Sequence, residues 1–169
     1  MKGERPIESP IKKPRAKKHR RVDFEEMQKQ RAEVGRKAEE FALEWEKERL
    51  VGAQLEHRLK DIEDRRDHPG YGHDFLSFST NSEQRYIEVK SVAKVSDGHR
   101  FFLSDNEHQT SLSSECREGY YFYLVYFGSD GLPVELEAVS AKHLYPRVEM
   151  LPSSYEVRFD RREFKETDE

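Results

Sequence analysis

Asp74 and the stretch Ile87-Glu88-Val89-Lys90 carry the residues best placed to do chemistry. Side chains alternate along a strand, so Glu88 and Lys90 share one face while Ile87 and Val89 point to the other. Asp74-Phe75-Leu76-Ser77-Phe78-Ser79-Thr80 is also strand-like, and Asn81-Ser82-Glu83 is a polar turn between the two runs. A hairpin closed by that turn sets Asp74 opposite Glu88 or Lys90, with facing Cβ atoms roughly 4.5–5.5 Å apart. Two neighbouring carboxylates repel unless a cation lies between them. Oxygen ligands alone suit Mg²⁺ or Mn²⁺, so the arrangement points to a divalent ion beside a lysine and to phosphodiester hydrolysis. A Glu-x-Lys pair by itself is more often a solvated strand face, and the flanking segments argue otherwise here.

Those flanks are a helical segment with Gly35-Arg36-Lys37-Ala38-Glu39-Glu40, the loop Gly70-Tyr71-Gly72-His73 before Asp74-Phe75, and Phe101-Phe102-Leu103-Ser104-Asp105-Asn106-Glu107. The tyrosine-rich run Tyr120–Tyr126 follows. In this order the chain resembles the PD-(D/E)xK nuclease superfamily, and within it the NO VEIN C-terminal-like domain family, over about residues 33–127. The resemblance implies an α/β fold with a restriction-endonuclease-like core, a mixed β-sheet flanked by helices, and a long N-terminal helix. It also implies a nuclease dependent on Mg²⁺ or Mn²⁺, with DNA the favoured nucleic acid and a homodimer compatible with cutting two strands. Asp74, Glu88 and the Val89 carbonyl would hold the ion, and Lys90 would orient the attacking water or stabilise charge on the phosphate. Glu39, four residues after Gly35, would be the helical carboxylate, with Glu40 its close competitor. One departure is His73, set between the glycine-tyrosine pair and Asp74. It is expected to border the metal site or contact phosphate.

The charge distribution adds a second feature. Lys12, Lys13, Arg15, Lys17, Lys18, Arg20 and Arg21 belong to an arm, residues 1–21, that carries about +7 and leaves about −11 for the rest of a chain of net charge −4. With Pro6, Pro10 and Pro14 and few apolar residues the arm is expected to be disordered when free. It reads either as a phosphate-binding tail, or as a solubilising tail or one that folds back on the acidic body. No apolar run is long enough to span a bilayer and the N-terminus lacks an apolar signal segment, which points to a cytoplasmic protein with no membrane partner. Cys116 is the only cysteine, which excludes an internal disulfide and a cysteine zinc cluster and leaves a helix-packing role.

Spacing of apolar residues from Val22 to about Arg65 is helical, with Phe41, Ala42 and Trp45 toward the core, Glu39, Glu40 and Glu44 toward the site edge, and a break invited at Val51-Gly52. Gln54–Arg66 reads as an exposed, charge-dense helix end. Asp67–His73 must be a loop. Beyond Lys90 the sequence predicts a turn over 93–99, a short strand at Arg100–Leu103, and a helix begun by Ser104 with Glu107 in capping-box position. It then predicts a buried strand at Tyr120–Phe127, another at Leu132–Val139, a helical turn at Ser140–Leu144 and a last strand at Ser154–Phe159. The organisation is thus an arm (1–21), a helical region (22–66), a sheet-and-helix core (67–159, joined by the helix at 33–50) and a charged tail (160–169). A rival class keeps the fold without catalysis, as a nucleic-acid-binding or protein-interaction module.

Overall fold

A computed structural model describes residues 24–152, so the basic arm, the strand expected at Ser154–Phe159 and the charged tail lie outside the described residues. Helix α1 spans Phe24–Gly52. After it come a 3₁₀ turn at Glu56–Asp61, the two-residue strand β1 (Glu63–Asp64) and a second 3₁₀ turn at Pro69–Tyr71. Strands β2 (Phe75–Phe78) and β3 (Gln84–Ser91) form the expected hairpin, and β4 (Ala93–Val95) pairs with β5 (Gly98–Arg100) in a small separate ribbon. Helix α2 (Asp105–Leu112), β6 (Tyr120–Phe127), β7 (Pro133–Ser140) and α3 (Ala141–Leu144) complete the described chain.

The main sheet has the order β1-β2-β3-β6-β7, antiparallel except for the parallel β3–β6 pair. Parallel neighbours require a crossover, and residues 92–119, including α2, supply it. Alternation along the strands divides the core in two. Phe75, Ile87, Val89, Tyr123 and Val125 face α1 through Ala38 and Ala42. Leu76, Tyr86, Tyr120, Phe122 and Leu124 face the opposite layer, with Cys116, Ala141 and Leu144. Along α1 the buried ridge is Ala38, Ala42, Glu46 and Leu50, one residue every four, and its two alanines let the helix lie close against the sheet. Phe41 and Trp45 flank this ridge, half-buried, and Glu44 is exposed.

Three expectations are corrected. Residues 54–66 are not a helix end: Gln54 takes φ 60°, Leu55 is buried, and its N–H donates to the Leu50 carbonyl, which turns the chain back on itself. Only the 3₁₀ turn at Glu56–Asp61 remains helical, and Glu63-Asp64 covers the free edge of β2, where exposed charges discourage further pairing. The predicted turn over 93–99 is the β4–β5 hairpin, and Phe101–Leu103 lies beyond its last strand. Cys116 packs in the loop between α2 and β6, not on a helix. Among the described residues no helix is long and apolar enough to cross a membrane.

Candidate active site

The open end of the β2–β3 hairpin, opposite its turn, is held by Asp74. Phe75 pairs with Ile87, which places Asp74 across from Glu88. The Asp74 N–H donates to the Ile87 carbonyl at 2.8 Å, and its Oδ2 accepts from the Val89 N–H at 2.8 Å. Asp74 is therefore fixed both through its main chain and through its carboxylate. Gly72 sets the approach to it: φ is +68°, and a Cβ there would fall 2.2 Å from Thr110 Oγ1. Tyr120 Oη donates to the Gly72 carbonyl at 2.6 Å, tying this loop to the central strand. Gly72→Ala is expected to cost about 2–3 kcal/mol through the left-handed backbone and the clash with α2. A denaturant titration with an unchanged m-value checks it.

Glu88 and Lys90 lie on the same face of β3, as alternation requires, and Glu88 is 5% exposed. Lys90 Nζ stands 2.8 Å from Glu88 Oε1 and 2.5 Å from Glu107 Oε2. Glu107 has a second task. Its Oε2 accepts from the Ser104 N–H at 2.9 Å while Ser104 Oγ accepts from the Glu107 N–H at 3.3 Å, a complete capping box at the start of α2. The cap was legible in the sequence. The grip on Lys90 was not, because it depends on how α2 docks beside β3.

Asp74, Glu88 and Glu107 line a cavity of about 200 Å³ together with Arg65, Arg66 and His73. Its charges do not balance. The ammonium of Lys90 pairs with Glu88 and Glu107 and leaves Asp74 without a cation, while Arg65 is engaged by Glu63 and Arg66 by Asp64 and Glu39. Burial, and then the charge of Asp74, push Glu88 up to about 9. Burial pushes Asp74 up to about 6 against the pull of the Val89 N–H. Burial opposes the charge of Lys90, but Glu88 and Glu107 outweigh it and hold the ammonium above its ordinary value. Glu107 is held low despite burial, by Lys90 and the Ser104 N–H.

Glu39, on α1 at the other side of the sheet, does not line this cavity and is linked to it through Arg66. Its Oε2 accepts from Arg66 Nη1 at 3.3 Å, and burial raises it. Glu40, its competitor, is exposed and pairs with Arg36 along the helix. His73 borders the cavity, the first of its two expected roles, but not with a free ring: it is 6% exposed, and both ring nitrogens are engaged. Arg65 Nη1 donates to Nε2 at 3.0 Å, and Nδ1–H donates to the Tyr71 carbonyl at 3.0 Å. The ring packs edge-on against Tyr86, and burial, with Arg65 beside it, keeps it neutral. It forms a wall of the cavity and has no donor left for a phosphate. Arg66, which joins Glu39 to Asp64, had no distinguishing signal within its charge-dense segment.

No group of three or more His, Cys, Asp or Glu side chains among the described residues is arranged as a metal cage. Asp74 and Glu88 nevertheless suit a hard ion that keeps much of its water and uses one or two protein carboxylates, as Mg²⁺ does. Their excess negative charge is what such an ion would neutralise.

The fold and site define an α/β domain with a buried carboxylate pair and a clamped lysine at the open end of a hairpin. The family model described as Protein NO VEIN, C-terminal, matches residues 38–136, and the chain belongs to that family. No curated protein and no solved structure gives a match.

Proposed function

We propose that this protein is a metal-dependent nuclease of the PD-(D/E)xK type that hydrolyses phosphodiester bonds, with DNA the favoured substrate. The observation that carries the reading is the convergence of Asp74, Glu88 and Glu107 on one cavity, with the ammonium of Lys90 paired to Glu88 and Glu107 beside it. Folding alone does not call for such a cluster, because buried charges without full compensation destabilise the native state.

Asp74 and Glu88, with the Val89 carbonyl, would hold Mg²⁺ or Mn²⁺. The ion would polarise the phosphoryl oxygen and make a bound water more acidic. Lys90 is kept protonated, and its position beside Glu88 suits it to stabilise negative charge developing on the phosphate. Glu107 positions that ammonium from α2, and Glu39 places a further carboxylate at the α1 side, restrained by Arg66. The basic arm, with Lys12, Lys13, Arg15, Lys17, Lys18, Arg20 and Arg21, would supply sequence-independent attraction to the phosphate backbone.

The test is cleavage of plasmid DNA and of RNA with Mg²⁺ or Mn²⁺, by wild type and by Asp74→Ala, Glu88→Ala and Lys90→Ala. Metal-dependent cleavage by wild type that all three variants lose is the expected result. Absence of cleavage of every substrate would leave the binding-module reading in its place.

Protons and metal should compete at this site. The folded, cation-free protein keeps protons on Asp74 and Glu88 at pH values where the unfolded chain has released them. Between the ordinary carboxylate range and about pH 9 the native state therefore binds more protons, and its stability falls as pH rises. In EDTA the thermal midpoint is expected to drop from about pH 5 to about pH 9. Mn²⁺ should raise it, and by more at about pH 8 than at about pH 6, because fewer protons must be displaced. A Mn²⁺ effect that is independent of pH, or that survives Asp74→Ala, would remove this site as the metal centre.

A further inference from the structure

A cavity of about 520 Å³ opens between the first half of α1 and the β4–β5 hairpin, and Lys90 stands in its wall. It therefore adjoins the candidate catalytic lysine on the side away from the carboxylate cluster. Three features bear on its occupant. Lys90 is already paired with Glu88 and Glu107, and the remaining charged lining is Arg31 and Arg100 against the one acid Glu39, itself held by Arg66, a balance that favours an anion. Phe102 is 57% exposed at its rim, with the Arg100 guanidinium 5.4 Å from the ring centroid. Gly35 is the third. Glycine inside a helix costs about 1 kcal/mol relative to alanine, yet it occupies the wall of this cavity, and among the described residues nothing lies within 4 Å of where its Cβ would be. The helix forgoes a side chain at the place where one would fill the space.

Resting on the nuclease reading, we infer that this cavity receives an unpaired nucleotide of the strand being cut. Its base stacks on Phe102 and its phosphates meet Arg31 and Arg100. An exposed aromatic ring beside cations is the chemistry that holds single strands, since every base offers a face to stack on. A duplex has its bases already paired and stacked and offers none. The substrate class that follows is single-stranded nucleic acid, or a strand end or flap freed from a duplex.

The experiment is fluorescence anisotropy of a labelled twelve-nucleotide oligothymidine and of a blunt duplex of equal length. The full chain is used, in EDTA so that nothing is cleaved, and at raised salt so that phosphate contacts of the arm are suppressed. Phe102→Ala and Gly35→Leu are each expected to weaken oligothymidine binding about tenfold, a loss of one stacked base. Weak duplex binding should not change. The thermal midpoint of Gly35→Leu should be no lower than that of wild type, since leucine is a strong helix former. Wild-type affinity in both variants, an equal loss on the duplex, or no binding of the oligonucleotide by wild type would overturn the inference. Metal-dependent cleavage is scored separately, so the groove can fail while the nuclease stands, and the reverse.

Discussion

Glu88→Gln is expected to lower cleavage by at least about 10²–10³-fold while raising the thermal midpoint of the metal-free protein at about pH 8. The loss of activity follows from removing one of the two carboxylates that would hold the ion, and with it charge stabilisation of the transition state. The gain in stability follows from the unbalanced charge. Glu88 is buried beside Asp74, and Glu88 and Glu107 compete for the one ammonium of Lys90. An isosteric amide keeps an oxygen to accept from Lys90 and folds without the proton that Glu88 must take up at this pH. Each unit of raised carboxylate pKa is about 1.4 kcal/mol of disfavoured ionisation. Thermal melts in EDTA and in Mn²⁺ give the readout: the variant should melt above wild type in the first and gain less from the metal in the second. A variant that melts lower in EDTA would mean that the Glu88–Lys90 pair holds the fold together and that Glu88 is a structural residue.

The hairpin could be read from the sequence because its physics is local. A polar turn at 81–83 and strict alternation fix the register, and a slip of one residue would have turned Ile87 and Val89 out of the core. The capping box at Ser104 and Glu107 and the aromatic run of β6 are short-range signals of the same kind. What could not be read depends on packing between distant segments. β1 is two charged residues that become a strand only because β2 offers a free edge. The choice between Glu39 and Glu40 is one of helix phase. The ridge of Ala38, Ala42 and Leu50 places Glu39 beside the sheet and leaves Glu40 in solvent. Counting those alanines as the buried stripe, in place of the larger Phe41 and Trp45, would have decided it. His73 was legible only in part: it borders the cavity but has no donor free for phosphate. A histidine next to a candidate ligand suggested chemistry, but the tight loop before Asp74 turns its ring inward against Tyr86 and Arg65.

The same ridge carries the residue whose loss should cost the fold most. Glu46 lies between Ala42 and Leu50 among the charged residues Glu44, Lys47, Glu48 and Arg49, yet it is 1% exposed. Its Oε1 accepts from Ser77 Oγ at 2.5 Å and from Arg49 Nη2 at 2.6 Å, and its Oε2 accepts from Arg49 Nε at 2.7 Å and from Tyr123 Oη. Arg49 also donates to the Phe78 carbonyl, and Arg85 donates to Tyr123 Oη at 3.0 Å. One carboxylate thus joins α1 to β2 and β6 under the turn end of the hairpin, away from Asp74. Glu46→Ala leaves a mostly buried guanidinium without its partner and two hydroxyls without an acceptor, and is expected to cost about 3–5 kcal/mol. Glu46→Gln keeps an acceptor and should cost less. Replacing Arg49 by leucine in the Glu46→Ala background should recover part of the loss, since the stranded charge is then gone as well. Urea titrations of the four proteins measure these terms. A cost below about 1 kcal/mol for Glu46→Ala, or strict additivity in the double variant, would show that the cluster contributes nothing beyond its packing. Where Glu46→Gln remains folded its cleavage rate should match that of wild type, because the network fixes the helix to the sheet without touching the carboxylates at the other end of the hairpin.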